Sequence, residues 1–98
     1  MSENDSFKRL TNDVHQDRTF WMADGTSVRN LKELDTALEG MREETFNHHV
    51  NDAKHDFSNW VRDVIQDQKL ADNLANSKDK RSVQVAVLRR IIEAMNEN

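Results

Sequence analysis

Three of the four histidines in this chain crowd into one short stretch, as His48, His49 and His55. Asp52 and Asp56 lie among them, and Phe57 and Trp60 follow directly. Imidazoles and carboxylates at this spacing support two chemistries. One is metal binding: His48, His49 and His55 with Asp52 or Asp56 make a sufficient ligand set for zinc or nickel. Neighbours on a helix point about 100° apart, however, so His48 and His49 share an ion only if a loop returns His55 toward them. The other is proton transfer by a His49–Asp56 pair. That needs a nucleophile or a pocket, and the chain has no cysteine, no serine in an elbow context and no glycine-rich phosphate loop, its only glycines being Gly25 and Gly40. Glu43 and Glu44 are adjacent and do not converge on one atom. A structural role is therefore the first expectation. His49 shares a helical stripe with Phe46 and Val50, so its ring is expected half-buried and bonded to a carbonyl or to a carboxylate such as Asp56. Asp56 is expected to cap the next helix, with Phe57 and Trp60 in the core. No enzymatic activity and no cofactor are expected, with metal through His48, His49 and His55 as the weaker alternative.

The elements that would position this cluster are mostly helical. Phe57, Trp60, Val61, Val64 and Ile65 recur at i, i+3, i+4, i+7 and i+8, the spacing of one helix face. Leu31, Leu34, Leu38 and Met41 form a second stripe behind a capping-box variant at Asn30 and Glu33, and it ends near Gly40. Glu43–Val50 predicts a short helix, and Asp67 starts another with Leu70, Ala71 and Leu74. The last helix spans about Asp79–Met95 with Ser77 as its cap. Val83, Val87, Ile91 and Ala94 form its inward face, which Val85, Leu88 and Ile92 make broad. Thr19–Ala23 is strand-like, and Asp24-Gly25 supplies a two-residue turn of the I′ kind before Thr26–Val28. The fold class expected is mainly α: a small bundle of four to five short helices with a short hairpin near residues 19–28.

These positions also carry a resemblance. Phe20…Asp24-Gly25, the leucine stripe, Phe46, His49-Val50-Asn51, Lys54, Asp56-Phe57, Trp60 and Asp63-Val64 resemble a family of small archaeal and bacterial domains of unknown function, whose pattern is F-x-x-x-D-G … H-V-N … D-F-x-x-W. The likeness covers about Phe20 to Met95. It implies a shared helical fold, often a module in larger proteins, and no established activity. His55 departs from the family's usual Asn and adds a titratable group beside Asp56. Arg42 departs from a capping Ser or Asp and weakens the start of its helix.

Ninety-eight residues with a mean hydropathy of −0.92 leave room for one thin core under solvated helix faces. Residues 19–98 are expected to form that domain, and residues 1–18 an N-terminal extension that is either a short helix or a mobile arm. No run is long and apolar enough to span a membrane, and a cytoplasmic home is expected. The absence of cysteine excludes a disulfide framework. Two surfaces remain for partners. Phe7, Leu10 and Val14 make an apolar stripe that another chain can complete, which motivates the leading expectation: a non-enzymatic protein-interaction or self-assembly module, a homo-oligomer or a chain docked on a partner protein. Lys78, Lys80, Arg81, Arg89 and Arg90 gather near the C-terminus and motivate the alternative, a nucleic-acid-binding accessory role, set against a net charge of −4. The same basic face can also meet the acidic stretch Glu33–Glu44 of a second copy and assemble head to tail.

Overall fold

The computed structural model describes residues 5–97. Its elements run α1 (Asp5–Thr11), β1 (Phe20–Trp21), β2 (Ser27–Val28), α2 (Leu31–Glu39), α3 (Glu43–His49), β3 (Val50–Asn51), β4 (Lys54–His55), α4 (Asp56–Trp60), α5 (Gln68–Ala75) and α6 (Lys80–Met95). A 3-10 turn at Gln16–Arg18 leads into β1, and a π-helical turn at Val61–Ile65 prolongs α4. The fold is mainly α, with five helices after the first hairpin, as the periodicity predicts. Residues 1–4 of the N-terminal extension lie outside the described residues. The rest of that extension begins as the short helix α1, whose Leu10 is fully buried in the common core.

Side-chain caps set most helix starts. Asn30 Oδ1 accepts the Glu33 N–H at 2.9 Å to open α2, and Glu33 Oε1 accepts from the Arg29 N–H at 2.9 Å. Asp67 Oδ1 accepts the Leu70 N–H at 3.0 Å and starts α5. Two expected caps are corrected. Asp79, not Ser77, caps α6, accepting the Ser82 N–H at 2.8 Å. His55, not Asp56, caps α4, its Nδ1 accepting the Ser58 N–H at 3.2 Å. Arg42 gives α3 no side-chain cap, in line with the weak start expected there.

Both sheets are two-stranded antiparallel ribbons, β1–β2 with Phe20 opposite Val28 and β3–β4 with Val50 opposite His55. The first loop has three residues rather than two. Met22 bonds Thr26 and Gly25 takes φ 91°, a left-handed setting that glycine adopts without strain. The second hairpin was not expected. Its turn has no glycine; the Asn51 side chain accepts the Ala53 N–H at 3.0 Å and makes the bend instead.

The core gathers the leucine stripe of α2 with Phe46, Phe57, Trp60, Val61, Ile65, Leu70, Leu74, Val83 and Val87, all buried. Phe20 stacks on Phe57 with centroids 5.3 Å apart and meets Trp60 edge-on at 5.8 Å. Its neighbour Trp21 points the other way and is 66% exposed, so one hairpin aromatic rests on the helices and the other does not. No helix among the described residues is long and apolar enough to cross a membrane.

Candidate functional site

The histidine cluster folds into a corner where α3 turns through β3 and β4 into α4. His49 is buried, and both of its ring nitrogens are in use. Nδ1 donates to Asp56 Oδ2 at 2.9 Å, and Nε2 accepts the Ala23 N–H at 2.9 Å. An accepting Nε2 places the ring proton on Nδ1, so the ring is a neutral strut between the first hairpin loop and the start of α4. Lys54 Nζ stands 3.0 Å from the same Asp56 oxygen. Burial works against the Asp56 charge, but hydrogen bonds from His49 and Lys54 outweigh it and hold this carboxyl below its ordinary range.

His55 is saturated in the mirror-image way. Its Nδ1 caps α4, and its Nε2 donates to the Ser77 carbonyl at 3.0 Å, tying α4 to the end of α5. Burial pushes its pKa below that of a free imidazole. His48 is exposed, its ring edge-on to that of His49 at a centroid distance of 4.9 Å. With both nitrogens of His49 and both of His55 committed, the expected His48–His49–His55 ligand set is not brought together. Among the described residues no group of three or more histidines and carboxylates stands ready for a metal ion. The nitrogen that a His49 base would offer, Nε2, is likewise occupied. The structural expectation for His49, Phe57 and Trp60 matches this geometry, whereas Asp56 braces His49 instead of capping α4; the Trp60 indole N–H finds the Arg18 carbonyl at 2.8 Å.

The basic residues near the C-terminus do not form one face. Arg90 is buried, and its Nε donates to Asp67 Oδ2 at 2.8 Å while a terminal nitrogen reaches Glu97 Oε2 at 3.1 Å. Burial opposes its charge, and the bonds to Asp67 and Glu97 more than compensate and raise its pKa. Arg9 joins the same group, 3.8 Å from Asp67 and bonded to the Gln66 carbonyl at 2.9 Å. Lys80 Nζ donates to the Met41 carbonyl at 2.7 Å. Arg90 and Lys80 are thus corrected from phosphate-facing residues to internal ties; Lys78, Arg81 and Arg89 remain exposed. The Asp67–Arg90 pair was not expected, because its members lie 23 residues apart and nothing local links them.

The N-terminal stripe is corrected as well. Leu10 is fully buried and Phe7 and Val14 are partly buried against the core, so the chain itself covers most of this stripe.

The unpartnered apolar surface lies on α6. Val83, Val87, Ile91 and Ala94 face inward as expected, but Val85, Leu88 and Ile92 do not widen that face. With Met95 they form a second stripe on the outer side, exposed by 41, 38, 54 and 55% in the order 85, 88, 92, 95. At 100° per residue, Gln84 borders this stripe on one side and Arg89 on the other. Gln84 Nε2 donates to Glu39 at 2.6 Å and to Asp35 at 3.1 Å, which fixes two carboxylates of α2 along the first border. On the second border a groove between α5 and α6 is lined by Asn73, Ser77, Arg81, Arg89, Arg90 and Glu93, the last held by Lys69 at 3.0 Å and Arg90 at 3.7 Å. The 3-4-3 spacing of Val85, Leu88, Ile92 and Met95 was available in the sequence as a signal for such a stripe. Set against protein-family models, curated proteins and solved structures, the chain matches none of them.

Proposed function

We propose that this chain is a non-enzymatic cytoplasmic interaction module that meets its partner through the outer face of α6. One observation carries the reading. Val85, Leu88, Ile92 and Met95, exposed by 38 to 55%, are four of the five exposed large apolar side chains among the described residues and share one stripe of one helix. Exposed apolar residues scattered singly are ordinary on any surface, whereas a contiguous ridge marks a contact. On a chain with a mean hydropathy of −0.92 the ridge stands out further. The surrounding chemistry agrees, since the histidine corner keeps no free ring nitrogen on His49 or His55 for catalysis or metal.

The nucleic-acid alternative has less support. It retains Lys78, Arg81 and Arg89, while Lys80 and Arg90 serve internal bonds and the net charge is −4.

The test is the double substitution Leu88→Ser with Ile92→Ser, read as the native size of the chain in an extract of the cells that make it. The expected result is an unchanged fold by circular dichroism and loss of whatever assembly the unaltered chain enters. An assembly of the same size in the variant contradicts the reading.

A further inference from the structure

The outer stripe of α6 also carries information about what covers it, and this step rests on the interaction-surface reading above. Val85 and Ile92 occupy the a positions of a heptad and Leu88 and Met95 the d positions. In a parallel pair, β-branched residues at a with leucine at d favour two strands over three or four, and the direction itself is set by the charges that flank the stripe. The borders of the stripe are charged with opposite sign. Asp35 and Glu39 stand beside Gln84, a g position, at 3.1 and 2.6 Å from its side-chain nitrogen. Arg89 is the following e position, and neither it nor Arg81 has a carboxylate within ion-pairing reach among the described residues.

We infer that the outer face of α6 pairs with the same face of a second copy of this chain, the two α6 helices side by side and in the same direction. Each Arg89 then lies against the Asp35 and Glu39 carboxylates of the other copy. A two-fold axis parallel to the helices is what brings the left border of one copy onto the right border of the other, and g residue 84 across from e residue 89. The opposite arrangement, with antiparallel helices, sets Arg89 against Arg89 near the axis and leaves both pairs of carboxylates without a cation. The parallel arrangement has one like-charge approach, Arg81 to Arg81, beyond the last apolar layer where each side chain lines its own α5–α6 groove. The pairing is isologous and closes on itself, unlike head-to-tail growth through the same charges.

The exposed fractions of the four ridge residues amount to about 300 Å² of apolar surface per copy, well under the roughly 800 Å² per partner of a standard interface, so the polar borders must share the contact. The pair is therefore a reversible dimer that dissociates on dilution. Its charge pattern is the part that a fortuitous hydrophobic contact would not reproduce.

The experiment is sedimentation equilibrium of the purified full chain over a wide concentration range, with circular dichroism to check each variant's fold. The unaltered chain is expected to approach twice its single-chain mass. Arg89→Glu is expected to raise the dimer dissociation constant about tenfold or more, by placing like charges across the seam, and Arg89→Glu combined with Glu39→Arg to restore most of the affinity. A single-chain mass at every concentration overturns the inference. So does a dimer that ignores both charge reversals, including one that still depends on Leu88 and Ile92. If the purified chain stays single while its assembly in cell extract is lost in the Leu88→Ser, Ile92→Ser variant, the second-copy inference falls and the interaction-surface reading stands.

Discussion

At the corner between the two hairpins, every ring nitrogen of His49 and His55 has a partner inside the chain, while on the outer face of α6 four large apolar side chains stand open to water. The first region has the residue types that attract attention and the second has ordinary aliphatic ones. The proposed function is read from what is left unsatisfied rather than from residue type. Polar side chains whose hydrogen-bonding capacity is exhausted hold a fold together, and their removal is felt as lost stability. Apolar side chains without cover contribute little to the monomer, and their removal is felt only in association.

The contrast is most exposed to test where the corner is deepest. His49→Ala removes a ring packed on Phe20 and Phe57 at centroid distances of 5.3 and 5.5 Å, together with its bonds to Ala23 and Asp56. A loss of about 2–4 kcal/mol in denaturant unfolding is expected. A loss under about 0.5 kcal/mol would mean that the corner is not held by this side chain.

Next in size is a pH effect at His55. Burial lowers its pKa in the folded chain, so the folded form takes up a proton less readily than the unfolded one. Its contribution is complete above the ordinary histidine value of about 6.5 and is lost as pH falls from there through the lowered folded-state value. Asp56 adds to the same trend further down, below the usual carboxylate range. His55→Asn keeps a side-chain oxygen to cap α4 and removes the titrating group. It is expected to lose about 1 kcal/mol near neutral pH with the bond to Ser77, and to flatten the fall in stability on moderate acidification. Thermal unfolding followed across pH checks this, and an undiminished acid slope would rule His55 out as its source.

The smallest effect belongs to the other region. Ile92→Ser alone is expected to change the stability of the single chain by less than about 0.5 kcal/mol, the range of ordinary surface substitutions, and the same exchange at Val87 to lower it by several-fold more. Equal losses at the two positions would erase the distinction between the faces of α6.

Much of the fold was readable from periodicity. Phe57, Trp60, Val61 and Ile65 are buried as their spacing predicts, and so are Leu31, Leu34, Leu38 and Met41. The misses have separable causes. The turn at Asn51–Ala53 depends on a side-chain oxygen rather than a glycine, and such a substitute leaves a fainter mark in the sequence. The π-helical turn at Val61–Ile65 keeps the same buried residues as an α-turn would, so apolar spacing does not separate them. It ends at Gln66, whose φ of 65° is unusual for a residue with a side chain. The Asp67–Arg90 pair exists only once α5 and α6 are packed. The two faces of α6 merged into one broad stripe because helical spacing gives directions around the axis but not which neighbours, here α1, α2 and α5, cover them. Of the surfaces offered to partners, the N-terminal stripe was misassigned for the same reason: Phe7, Leu10 and Val14 are amphipathic in isolation and find their cover within the chain.

The most direct measurement of the central claim is paramagnetic relaxation of methyl groups by a water-soluble gadolinium chelate, compared between the unaltered chain and Arg89→Glu at one concentration. The account predicts that Leu88 and Ile92 are shielded almost as well as Ile91 in the unaltered chain and become strongly relaxed in the variant, with Ile91 and Val87 unchanged in both. Strong relaxation of Leu88 and Ile92 in both proteins, at a concentration approaching solubility, would contradict it.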